Sequence, residues 1–136
     1  MANEVGMSNL IPMQRAYSRV PQLVVHTVPG FAESPEYTAL GKHDLQLPGV
    51  VCGAFAKFLV LLQQGVIAGV VSAESAAGLA ASYQVIEQLA TSDDPEVVNA
   101  VVVEIFENLD CEPSVLEAIK ARLEKVSRQL YAKWVR

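Results

Sequence analysis

A chain of 136 residues fits one domain, which at this size buries about 70% of its unfolded surface. Hydrophobic residues make up 51% of it and charged residues 18%, which excludes wholesale disorder. The formal net charge of −5 excludes a general DNA- or RNA-binding role, because affinity for phosphate is carried largely by Lys and Arg. That charge is segregated. Residues 58–119 hold ten carboxylates and no Lys, Arg or His, whereas residues 120–136 hold six cations against Glu124. Segregation of this kind creates a directional field that steers partners without naming a reaction.

Residues 1–13 read as a flexible tail, with no basic stretch followed by an apolar run, so no secretory signal is expected. A single domain is expected over residues 14–136. Pro12 in a first-turn position predicts a helix through Met13 to Val20, stopped at Pro21. Across residues 14–49, Pro21, Pro29, Pro35 and Pro48, with Gly30, Gly41 and Gly49, permit only short, irregular elements. The β-branched run Leu23-Val-Val-His-Thr-Val28 has no evident second strand to pair with, so it is expected as extended or helical packing material. Residues 47–71 are apolar over about the length of a membrane span. Lys57, Gln63, Gln64 and the glycines at 49, 53, 65 and 69 favour a buried helix of a soluble, cytoplasmic protein with no membrane contact.

From Val50 the pattern is helical. Val51, Phe55, Phe58, Leu59 and Leu62 recur at the spacing of one helix face, ending near Gln64 and Gly65. A second helix is expected over residues 75–90, striped by Leu79, Tyr83, Ile86 and Leu89, with Glu87 off the stripe. Asp94 as N-cap and Pro95 at the first position then start a third helix reaching Leu109. Its valines would suit a strand; the capping signal and the line Val98–Val102–Ile105–Phe106–Leu109 decide for a helix. Ser114 and Glu117 form a Ser-x-x-Glu capping box. From there one last helix is expected to run to the terminus along Leu116, Ile119, Leu123, Val126, Leu130 and Trp134. The fold class is all-α: a small helical bundle or HEAT-like packing with an irregular N-terminal third and a helical core over residues 50–136.

No motif for catalysis stands out, and no catalytic residue, metal or cofactor is assigned. Glu104 and Glu107, three apart on one helix, are expected to be neighbours, with Glu87 on the preceding helix. Such a two-helix carboxylate set would suit an oxygen-ligand metal site, although di-metal bundles add histidines that this region lacks. His26 and His43 accompany no nucleophile motif and read as surface or packing residues. Cys52 and Cys111 lack CxxC spacing and read as small buried thiols of a reducing compartment, a disulfide between them being the alternative. The C-terminal cations read as a solvated helix face pairing with the acidic middle, or, with Tyr131 and Trp134, as an interface anchor.

Several segments carry a resemblance: Phe55-Ala-Lys-Phe-Leu59, Tyr83-Gln-Val-Ile-Glu-Gln-Leu89, Ser92-Asp-Asp-Pro-Glu-Val97, Asn99, Val102-Val-Glu-Ile-Phe-Glu-Asn-Leu109, and Tyr131 with Trp134. Over residues 50–136 the chain resembles small bacterial all-helical proteins of undefined function, some of which look like cytoplasmic immunity factors for polymorphic or contact-delivered toxins. The glycine- and alanine-rich residues 66–81 depart from that pattern. The resemblance implies binding, not catalysis: an acidic inhibitor can occlude a basic toxin surface, with electrostatic steering of the encounter. The contact candidates are then Glu87, Asp93, Asp94, Glu96, Glu104, Glu107, Asp110 and Glu112, some of which could instead bond backbone groups between helices. Two alternatives stand beside this non-enzymatic protein-binding module. One is a metal-dependent enzyme using Glu87, Glu104 and Glu107; the other is a homo-oligomer pairing the acidic middle of one chain with the basic last helix of another.

Overall fold

The computed structural model describes residues 16–135; the expected tail and the helix start at Pro12 and Met13 lie outside the described residues. Among the described residues every regular element is helical and no strand forms. In chain order they are α1 (Val20–Thr27), α2 (Pro35–Thr38), a 3-10 turn at Asp44–Gln46, α3 (Pro48–Ile67), α4 (Ala73–Ala90), α5 (Pro95–Ala100), α6 (Pro113–Arg122) and α7 (Lys125–Trp134). Past Ala100, α5 runs without interruption through a π turn, Val101–Ile105, and a 3-10 turn, Phe106–Asn108. The valine-rich segment is therefore helical, as its capping signal predicts.

Prolines set where most of these elements begin. Pro21, Pro35, Pro48, Pro95 and Pro113 each stand in the first turn of a helix, where the missing N–H has no intrahelical acceptor to lose. Pro21 thus opens α1 where the sequence reading has it stop a helix; residues 16–18 are helical and a turn at Arg19 leads into α1. Leu23 to Thr27 pack as helix, not strand.

α3 is the centre of the packing. Val51, Phe55 and Leu59 are fully buried, and α1, α2, α4, α6 and the π turn all lie against it. It is long and apolar enough to cross a membrane, and half of its most apolar stretch is buried by the other helices. Gln63, polar within that stretch, is buried and accepts the Tyr83 hydroxyl at 2.8 Å, so its amide oxygen is satisfied inside the core. The N-terminal third docks through Phe31, which is fully buried. Its ring sits edge-on to Tyr37 at 5.1 Å and Phe55 at 5.8 Å and tilted to Phe58 at 5.4 Å, spacings at which aromatic pairs attract beyond their burial.

The glycines of residues 66–81 have structural work. Gly69, at φ +79°, closes α3 in a Schellman motif: Val70 N–H donates to Gly65 O at 2.7 Å and Gly69 N–H to Val66 O at 3.1 Å. Gly78 is buried on α4, and a Cβ there would stand 2.9 Å from the Pro29 carbonyl oxygen. That oxygen is backbone and cannot swing aside. Gly78→Ala should therefore lower stability by about 1–3 kcal/mol, the usual cost of overpacking, despite the better helix propensity of alanine. The midpoint of urea denaturation measures it; an unchanged or raised midpoint would show that the turn at Pro29 and α4 can separate freely.

The expected single last helix is two helices. Leu123 is extended (φ −62°, ψ 142°) and ends α6; Glu124 caps α7. Nor does the box at Ser114 form. Pro113 takes the first position of α6 and Glu112 the cap, while Glu117 pairs with Lys120 at 3.1 Å.

Candidate functional site

Of the eight acidic candidates, two belong to the scaffold. Asp94 is buried and its Oδ1 accepts the Glu96 N–H at 2.9 Å, a helix N-cap. Glu87 reaches across to a different helix: its Oε1 accepts the Ser127 N–H at 2.8 Å and its Oε2 the Val126 N–H at 2.9 Å. These are free donors of the first turn of α7, and a carboxylate there also meets the positive end of the helix dipole. The same turn is closed locally by Ser127, whose Oγ accepts the Glu124 N–H at 3.1 Å. At the junction Arg128 Nη2 donates to the carbonyls of Ala121 (3.0 Å) and Leu123 (2.8 Å), satisfying the end of α6. Burial pushes the Glu87 carboxyl up, but the N–H groups of Ser127 and Val126 and the Ser127 hydroxyl together outweigh it, so its pKa is lowered.

Glu104 and Glu107, expected as neighbours, face different cavities. Glu104 is half-buried and lies against Gly49, where an added Cβ would stand 3.1 Å from its carboxyl carbon; it lines a cavity with Lys57 and Asn108. Glu107 is exposed and lines a groove on the α7 side. The π turn between Ala100 and Phe106 is the reason, since its wider coil changes the angle between residues three apart. Glu96 is exposed and acts on Tyr17, whose hydroxyl is pushed up by burial and then by Glu96, Cys52, Glu104 and Asp94. Asp110 and Glu112 are exposed in the connection to α6. Glu87, Glu104 and Glu107 therefore do not converge, and among the described residues no group of three or more His, Cys, Asp or Glu is placed to hold a metal ion.

What remains is the groove, about 570 Å³, between α5 and α7. Asp93 stands at one end and Glu107 at the other; Val98, Val102 and Val103 line the α5 side, Leu130 and Trp134 the α7 side. Trp134 is 59% exposed and Val103 39%, apolar surface that normally marks an interaction site when grouped and rimmed by polar residues. A residue profile described as a domain of unknown function, DUF7674, matches residues 21–136. The chain belongs to the DUF7674 family. No curated protein and no solved structure matches it. The DUF7674 match includes α1 and Phe31, further toward the N-terminus than the resemblance over residues 50–136.

The other chemistry-bearing residues of this DUF7674 domain are occupied otherwise. Cys52 and Cys111 are free thiols; burial, with Glu104 adding, pushes Cys52 up to about 12, so it holds no thiolate at neutral pH. His26 and His43 are exposed. The last helices' cations meet rings more than acids: Arg122 lies 4.9 Å over Tyr83, Lys120 5.6 Å over Tyr131, and Lys133 5.1 Å over Trp134. Between described residues the one ion pair is Glu117–Lys120. Sequence reasoning allowed that some of the acidic candidates bond backbone groups between helices, as Glu87 does, but it did not single out Glu87 or the groove wall it builds. The local signal was Glu124-Lys-Val-Ser127, an acid and a serine three apart within what read as one helix.

Because its folded pKa is depressed, Glu87 stabilises fully above its ordinary value of 4.5. The contribution is lost as pH falls through the lower folded value. Glu87→Ala should cost about 2 kcal/mol at pH 7, the loss of charge-assisted bonds at a helix start. The difference from wild type should shrink on acidification below about pH 4. Denaturation curves at pH 7 and pH 3 read both; a difference independent of pH would contradict the charged cap.

Proposed function

We propose that this DUF7674 chain is a non-enzymatic protein-binding module, an immunity-like inhibitor acting in the cytoplasm, that offers the α5–α7 groove to a cationic protein partner such as a basic toxin. The observation that carries the reading is the pairing of exposed carboxylates with exposed apolar surface. Asp93 and Glu107 flank Val103 and Trp134 in one groove. The segment that carries both acids, residues 58–119, holds no Lys, Arg or His; Lys133 lies over Trp134 on the α7 side. An aromatic anchor beside apolar contacts, with charge at the rim, is how protein interfaces divide affinity from steering. The narrower acid set also changes which residues matter: Asp93 and Glu107 are contact residues, whereas Glu87 and Asp94 hold the scaffold.

The oxygen-ligand metal enzyme has no observation in its favour. Both oxygens of Glu87 are engaged by α7, and Glu104 and Glu107 open onto separate cavities.

Capture from the source organism's lysate, with partners identified by mass spectrometry, tests the reading. Wild type should retain a basic protein at low salt and release it at high salt. The double reversal Asp93→Lys, Glu107→Lys should bind that protein roughly tenfold more weakly, with its unfolding midpoint little changed because both residues are exposed. Equal affinity for the double reversal would remove the groove from the account.

A further inference from the structure

We propose that the occupant of the α5–α7 groove is a single amphipathic α-helix of the partner, nearly four turns long, with Lys or Arg at both ends. This rests on the binding-module reading and names what the groove takes. Three observations lead to it: the walls, the length and the charge.

The walls are helical: α5 with its continuation along the length, and one turn of α7, Leu130 to Trp134, across from it. Among the described residues there is no strand, so no sheet edge is offered there for an extended segment to extend. A segment entering an apolar groove must satisfy its own backbone, and a helix does so internally. The π turn adds to this shape: Val102 and Val103 are adjacent in sequence yet both line the groove, giving α5 a broader apolar face than a regular helix turn presents.

Length follows from the acids. Asp93 precedes α5 and Glu107 lies at the end of its continuation, so they stand roughly 20 Å apart at the ordinary helical rise. A partner helix of about 14 residues spans that distance. Its ends then meet a carboxylate each, and cations there are the complementary charges.

The groove also orients its occupant. Lys133 lies over Trp134 on the α7 side, so the partner's cations follow the α5 edge and its apolar stripe faces Leu130 and Trp134. A second copy fits less well, since two chains of net charge −5 repel at low salt.

Trp134 is the chain's one tryptophan and lines the groove, so its fluorescence reports occupancy directly. The full chain is titrated with three synthetic, tryptophan-free 16-residue peptides. The first has Leu at i, i+3, i+4 and i+7 spacing with Lys at both ends; the second has the same composition with the Leu positions scrambled; the third keeps the stripe but has Glu ends. The first peptide should shift Trp134 emission to the blue and saturate. The scrambled and Glu-ended peptides should bind at least tenfold more weakly, and Asp93→Lys, Glu107→Lys should weaken the first about tenfold at low salt. Equal binding of the scrambled peptide overturns the helical occupant and leaves the acid-rimmed groove standing. Equal binding of the Glu-ended peptide, or no shift with any peptide at millimolar concentration, overturns both. A blue shift that grows with protein concentration alone, with a doubled molar mass by light scattering, overturns the proposal in favour of a second copy.

Discussion

The carboxylate of Glu87 at the start of α7 is the contact on which the functional surface depends. A ten-residue helix is too short to persist alone in water, and Ser127 is the one residue of α7 that is buried. Beside its local Glu124–Ser127 box and the packing of Leu130 and Tyr131 on the core, α7 is tied to other elements by the two N–H bonds to Glu87, by Arg128 over the end of α6, and by Tyr131 edge-on to Phe106 at 5.1 Å. Glu87 reaches from α4 across thirty-nine positions of sequence. It therefore fixes where α7 begins and which way it runs.

The groove is a consequence of that placement. Had α6 continued through Leu123, Val126, Leu130 and Trp134 would have extended one buried stripe. The break turns α7 back along α4 and the π turn, and its second half stands beside α5 with Trp134 exposed. An acid that looks available for a partner instead builds the wall that a partner meets. Asp93 and Glu107 then supply the charge at its two ends. Division of labour among like residues is common where one chain must both fold and recognise, because a carboxylate at a helix N-terminus stabilises whatever else it does.

Local chemistry was legible in part, at Asp94 and in the spacing of α3 but not at Pro21, Ser114 or Glu124, and long-range chemistry was not. Asp94 with Pro95 predicts α5 correctly because cap and proline act within one turn, and the apolar spacing of α3 survives its glycines because helix faces average over many residues. The break at Leu123 escaped because the apolar stripe continues across it in register, while the group that rewards the break lies on another helix. Phe31 escaped because a single aromatic between prolines carries no periodicity. The π turn is hidden for a related reason: over five residues the wider coil and a regular helix yield nearly the same apolar pattern. Its effect, the separation of Glu104 from Glu107, therefore required coordinates.

Native-state hydrogen exchange resolved by residue tests the central claim most directly, because it reads the local opening of α7 apart from global unfolding. In Glu87→Ala, amides of Val126 to Tyr131 should lose most of their protection, whereas those of α3 should quicken only by the factor that the loss of global stability sets. Unchanged protection across α7 in that variant would contradict the account, since the helix would then be held by something other than the Glu87 carboxylate.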